Sequence, residues 1–204
     1  MTRTSSTLAR RVLAGLAAAA LAAGLAACSS DPLADQYREG SNKGFIAGDF
    51  TVQETPVADR GEPIVFSGTT QAGQTLGSDD FAGRVLVVNF WYAACGPCRA
   101  EAPTLEKAAG ELAGENASFL GVNIYDQPDT AASFMDTFGI TYPSLIAVGD
   151  GAVNLAFADA VPLTAVPVTL VLDAKGRVAA RIIGELSETS ILTTLVHDTI
   201  AETA

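Results

Sequence analysis

RVLVVNFWYAACGPCRAEAPTLEKAAGEL, residues 84–112, is the stretch that decides how this chain folds. Arg84 to Trp91 is a nearly unbroken β-branched and aromatic run, the pattern of a strand buried on both faces inside an α/β sheet. From Cys98 to Leu112, apolar Ala102, Leu105, Ala109 and Leu112 recur at spacings of three and four, which predicts a helix. Between strand and helix lies Cys95-Gly96-Pro97-Cys98. A cysteine pair is therefore set at the turn from a buried strand into a helix.

C-terminal to this unit, Ser118 to Ile124 reads as a second buried strand, and Pro128 to Phe138 as a helix with proline suited to its first turn. Tyr142 to Val148 suggests a third strand and Val153 to Ala158 a short helix. Val168 to Leu172 and Arg177 to Ile183 flank Asp173-Ala174-Lys175-Gly176, a hairpin signal. Ser187 is placed to cap a last helix striped by Ile191, Leu192, Leu195, Val196 and Ile200. Upstream, Ile64-Val65-Phe66 and Gln74-Thr75-Leu76 bracket a turn at Ala72-Gly73, a short β-hairpin. These elements predict one α/β domain over residues 63–204.

Residues 1–27 read as a secretory signal. A basic start ends in Arg10-Arg11, and the apolar run from Val12 to Ala27 is shorter than the roughly 20 residues of a membrane-spanning helix. Residues 28–62, rich in Ser, Gly, Asp and Pro without a sustained period, read as a tether whose end near Phe45 to Val52 could pack on the domain. The 204 residues carry 12 Lys and Arg against 23 Asp and Glu, a net charge of −11. That balance argues against a nucleic-acid partner held by phosphate contacts. Loss of Arg3, Arg10 and Arg11 with the leader deepens it to −14.

In an exported chain, a close cysteine pair either exchanges electrons or supplies half of a metal site. A purely structural staple has little to gain, because closing so short a loop barely restricts the unfolded chain. Structural zinc needs four ligands, and the sequence offers two thiols and one imidazole, His197, far away on the terminal helix. Haem attachment asks for His after the second cysteine, where Arg99 stands. No metal and no cofactor is expected. Cys95, at the helix N-terminus, gains from the positive end of the dipole and free N–H groups, so it is the nucleophile. Cys98, about one turn inside and more shielded, is the resolving thiol. Gly96 and Pro97 between them help to set the thiol acidity.

Residues Asn89 to Pro103, around Trp91-Tyr92-Ala93-Ala94-Cys95-Gly96-Pro97-Cys98, resemble the active-site segment of thioredoxin-like proteins, specifically the membrane-anchored TlpA/ResA/CcmG group. Val166-Pro167-Val168-Thr169-Leu170 is similar to the stretch in which that family carries a cis-proline facing the disulfide. The resemblance implies a thioredoxin-like fold, a central mixed sheet flanked by helices, with an N-terminal β-hairpin and an αβ insertion over residues 127–157. It implies that Pro167 is cis and that Val166 presents backbone groups to an extended substrate segment. It places Trp91 along the active-site groove and Glu101 beside the site, as proton relay or as a carboxylate that raises a thiol pKa. Leu25-Ala26-Ala27-Cys28 resembles the bacterial lipobox, which makes Cys28 the lipidated residue. Two positions depart from the family pattern: Asn89 stands where cytoplasmic thioredoxins carry a buried Asp, and Ala94 where Trp is common.

The expected activity is thiol-disulfide oxidoreductase, at the extracytoplasmic face of the cell membrane. The resemblance implies a protein that reduces protein disulfides, such as that of apocytochrome c, with electrons from a membrane thiol-disulfide donor, and a monomer is expected. A general oxidant or isomerase of secreted proteins is the alternative. A copper chaperone on the same fold would use a Cys-X3-Cys pair with a nearby His, and a peroxidase an isolated Cys; neither pattern is present around Cys95.

Overall fold

The structure, a computed structural model, describes residues 45–47, 50–161 and 166–202. The leader, Cys28 and most of the expected tether lie outside the described residues. The elements run β1 (Phe45–Ala47), β2 (Phe50–Glu54), β3 (Ser67–Thr69), β4 (Thr75–Gly77), β5 (Val85–Trp91), α1 (Gly96–Glu111), β6 (Ala117–Asn123), α2 (Pro128–Phe138), β7 (Ser144–Ile146), α3 (Gly151–Ala156), β8 (Val168–Leu172), β9 (Val178–Gly184) and α4 (Thr189–Ala201).

Seven of the described strands form one mixed sheet in the order β1-β2-β9-β8-β5-β6-β7, and β3 with β4 form a separate hairpin. β5 pairs parallel with β6 and antiparallel with β8, so it is central, as its run of apolar residues requires. All seven of its residues are buried, and they alternate between the two faces. Val85 and Val87 pack with Leu105, Ala108, Leu192 and Val196 of α1 and α4, while Leu86, Val88 and Phe90 pack with Val153 and Phe157 on the other face. By the same alternation, Asn89 and Trp91 point toward α1 and α2. α2, β7 and α3 are the αβ insertion, and β7 extends the sheet parallel to β6.

Three expectations are corrected. The domain begins before residue 63. β2 pairs with β9 from Phe50↔Gly184 to Glu54↔Ala180, Val52 is buried, and Arg60 is anchored in an ion-pair cluster, so residues 45–47 and 50–54 of the stretch read as tether belong to the sheet. β2 and β1 cover what would otherwise be an unpaired β9 edge. The hairpin's first strand lies at Ser67–Thr69 instead of 64–66, with the turn closed by Gly73 at φ 78°. The residue that precedes α4 is Glu188, not Ser187, and its side chain makes no capping bond.

Candidate active site

The site grows out of the end of β5. The chain turns at Tyr92, whose carbonyl accepts the Cys95 N–H at 3.2 Å, and α1 then starts with Cys95 as its N-cap residue. The Cys98 N–H donates to Cys95 Sγ at 3.1 Å, and the Arg99 N–H donates to the Cys95 carbonyl. One free N–H of the first turn is thus aimed at the sulfur, where the dipole of a 16-residue helix also favours negative charge. Cys95 and Cys98 are joined in a disulfide, with Cα atoms 5.3 Å apart. Gly96 and Pro97 are exposed, whereas Cys95 is 4% and Cys98 2% exposed. The pair lies just beneath the surface, with Cys98 the deeper.

Trp91, expected along the active-site groove, is placed beneath the cysteines and borders the small cavity beside Cys98. It is 3% exposed, stacks on Phe134 with ring centroids 4.4 Å apart, and donates Nε1–H to Ser144 Oγ at 3.0 Å. Strand alternation brings residue 91 to the α2 side, where it packs with Ala102, Ala131 and Met135 in the apolar cluster that holds both cysteines. Gly121 makes this packing possible: a Cβ there would sit 2.5 Å from Ser144 Oγ and 2.9 Å from Trp91 Nε1.

Glu101, one turn beyond Cys98, is 1% exposed. Asn89 donates Nδ2–H to Glu101 Oε1 at 2.8 Å and to Thr169 Oγ1 at 3.0 Å, and the Leu186 N–H donates to Glu101 Oε2 at 2.9 Å. Burial pushes the Glu101 carboxyl up from 4.5 to about 7 against the lowering effect of those hydrogen bonds, and the charge of Glu185 adds to the rise. A cavity of about 10 Å³, bordered by Asn89, Trp91, Cys98 and Tyr142 among others, is at the lower limit of the space that can hold one water. Cys98 and the amide that holds Glu101 therefore face the same small space.

The Val166–Pro167 peptide bond is cis. Val166 is partly exposed and packs against the cluster containing both cysteines, and β8 runs from Val168 back alongside β5. Two contributors were not singled out from the sequence. Thr169 anchors the Asn89 amide, and Asp126 accepts the Ala93 N–H at 2.6 Å, bracing the loop that leads to Cys95. Asp126 had a local signal: an Asn three residues earlier, whose Oδ1 accepts the Tyr125 and Asp126 N–H groups in a side-chain-closed turn.

Among curated proteins, the chain is 34% identical over 122 residues to the thiol:disulfide interchange protein HelX of Rhodobacter capsulatus, covering 60% of this chain and 64% of that one. It is 27% identical over 116 residues to the thiol-disulfide oxidoreductase ResA of Halalkalibacterium halodurans, covering 57% and 63%. The match thus spans just under two thirds of either relative. Among solved structures, a secreted thiol-disulfide isomerase of Corynebacterium glutamicum superimposes with a TM-score of 0.68 at 26% identity, over 74% of this chain and 92% of that one. A DsbF homologue of Corynebacterium diphtheriae gives 0.65 at 26%, over 78% and 99%. The fold is thioredoxin-like. The family profile described as Redoxin matches residues 49–196, from β2 into α4, and with that match the chain belongs to the Redoxin family.

Proposed function

We propose that this protein is a thiol-disulfide oxidoreductase held at the outer face of a bacterial membrane, where as a monomer it reduces protein disulfides such as that of apocytochrome c. The observation that carries the reading is the Cys98 N–H directed at Cys95 Sγ on the first turn of α1, an arrangement that stabilises a thiolate at residue 95. In the reduced protein, that thiolate attacks one sulfur of the substrate disulfide. A mixed disulfide forms and the other substrate sulfur leaves as a thiolate. Cys98, deprotonated in turn, attacks Cys95 Sγ, closes the Cys95–Cys98 disulfide and expels the second substrate thiol. Two electrons pass to the substrate, and a membrane thiol-disulfide donor returns them. No cofactor enters.

Glu101 is proposed to take the Cys98 proton across the small space that Cys98 shares with Asn89, the residue whose amide holds the Glu101 carboxyl, because a carboxyl titrating at about 7 can exchange protons at working pH. Asn89 has no carboxylate of its own, so Glu101 fills the part that a buried Asp takes in cytoplasmic thioredoxins. Val166 and Pro167 are proposed to align the substrate segment as an added strand, and Trp91 to support the cysteines from below. Lipidation of Cys28 supplies the anchor, two or more acyl chains giving stable attachment.

Replacing Cys98 with Ser leaves mixed disulfides on Cys95 unresolved, so that partners can be isolated from intact cells. Apocytochrome c among them is the expected result. A broad set of secreted proteins would instead support the oxidant or isomerase reading, which the likeness to the Corynebacterium glutamicum isomerase favours. For the anchor, Cys28→Ser is expected to release the protein from the membrane fraction.

A further inference from the structure

Beside the disulfide, the loop between β6 and α2 is fixed by its own side chains. Asn123 Oδ1 accepts the N–H groups of Tyr125 and Asp126 at 3.1 and 2.7 Å, and Asp126 Oδ2 accepts Asn123 Nδ2–H at 2.9 Å and the Ala93 N–H at 2.6 Å. The last of these bonds ties the loop to the segment that presents Cys95. One consequence is that Tyr125 is held outward, 73% exposed, with its ring centroid 5.8 Å from that of Tyr92. Tyr92 in turn accepts the Cys95 N–H through its carbonyl.

An isolated exposed ring needs no explanation. This one is paired with a second ring, sits on a braced turn, and is continuous with the loop of the nucleophile. Rigid tyrosines of this kind give contact area at a small cost in side-chain entropy, and they are enriched where interfaces concentrate their energy. Their π faces attract cations. The charge balance agrees: the chain carries −11, Asp126 and Asp129 follow the ring in sequence, and so the field of the protein draws a basic partner. The nearby cation, Arg99, is engaged elsewhere, 5.4 Å over the Phe138 ring and 3.4 Å from the Ala93 carbonyl. It is an example within the same molecule of the cation-on-ring contact.

We propose that Tyr92 and Tyr125 form a docking platform for a cationic polypeptide segment flanking the substrate disulfide, with a Lys or Arg side chain stacked on the Tyr125 ring. The proposal deepens the thiol-exchange reading of Cys95 and rests on it. Two synthetic peptides with one Cys-X-X-Cys disulfide, flanked either by lysines or by glutamates, are offered to the reduced protein, with hydroxyethyl disulfide as a small neutral substrate. The lysine peptide is expected to show a kcat/KM about tenfold above the glutamate peptide at low salt, with the gap closing at high salt. Tyr125→Ala is expected to lower kcat/KM for the lysine peptide about fivefold, through KM, and several times more than for hydroxyethyl disulfide.

Binding of the lysine peptide with serines in place of its cysteines is read in parallel. Equal Kd values for the unaltered protein and Tyr125→Ala, or no preference for lysine over glutamate, overturn the platform. A protein that exchanges with none of the three disulfides overturns the redox reading instead, and a Kd for the serine peptide that weakens in Tyr125→Ala still upholds the platform.

Discussion

The two ends of the central sheet each bury a carboxylate, and they treat it in opposite ways. At the end where β5 meets α1, Glu101 is 1% exposed and among the described residues has neutral donors alone, the Asn89 amide and the Leu186 N–H. At the other end, after β8, Asp173 is 2% exposed and is surrounded by charge. Arg60 Nη1 lies 3.1 Å and Arg177 Nη2 2.7 Å from Asp173 Oδ2, while the Lys175 and Arg177 N–H groups donate to Oδ1 at 2.9 and 3.0 Å. Burial pushes both carboxyls up. For Asp173 the Arg177 N–H, the two guanidiniums and the Lys175 N–H outweigh it and hold the group below its ordinary 3.8, whereas for Glu101 burial wins. Depth alone does not decide what a buried acid does; the charge of its partners does. One end holds a permanent anion that pins β2's trailing segment to the β8–β9 hairpin and, through Glu202, to the C-terminal end of α4. The other holds an acid free to gain or lose its proton.

The largest effect expected from breaking this contrast is at the pinned end. Asp173→Ala leaves Arg60, 3% exposed, with the half-exposed Glu202 as its remaining counter-charge and strips the Lys175 and Arg177 N–H groups of their acceptor, and is expected to cost about 3 kcal/mol of stability. Denaturant midpoints measure the loss, and the pH profile of thiol exchange should keep its shape. A pH profile that changed with the stability would tie the two ends together and dissolve the contrast.

Glu101 comes next. Folded, it binds its proton more tightly than the unfolded chain does, so stability should be full below about 4.5 and fall as pH rises to about 7. The shift amounts to about 3 kcal/mol lost across that window. Glu101→Gln is expected to remove the dependence and leave the variant more stable than the parent at pH 8. The same variant should lose an inflection near pH 7 in the rate at which Cys98 resolves mixed disulfides. Asp173 has the opposite sign: its stabilisation is present above 3.8 and fades as pH falls below that.

A smaller change sharpens the comparison. Asn89→Ala removes a donor that favours the charged form of Glu101, so its titration should move upward by about one unit, seen in the pH dependence of stability. The smallest effect is expected at Ser187. A true N-cap would cost about 1 kcal/mol on conversion to Ala, but the residue before α4 is Glu188, so Ser187→Ala should stay within about 0.5 kcal/mol by thermal unfolding.

Much of this was legible along the chain. The run Val85 to Trp91 gave the central strand, Pro128 gave the start of α2 and Asp173 to Gly176 gave the last hairpin, because each rests on local backbone preferences. β2 was not, since its partner β9 lies about 130 residues away and only that pairing makes a polar, weakly patterned segment into a strand. Glu101 was placed beside the site by resemblance, yet a charged residue on a helix reads equally well as solvated. Its burial follows from Asn89 on the facing strand and the Leu186 N–H at the entry to α4. The depth of Trp91 was not legible either, because an aromatic beside a redox pair suits a groove wall or the interior; the Gly121 gap and Phe134 take its ring inward.

By itself, the order of residues determined that two thiols stand at a strand-to-helix junction within an α/β domain, since periodicity and turn chemistry act over a few neighbours. Only the tertiary structure decided which carboxylate is neutralised by arginines and which is left with neutral donors. Proton affinity depends on what is packed within a few ångströms, and those neighbours come from parts of the chain far apart in sequence.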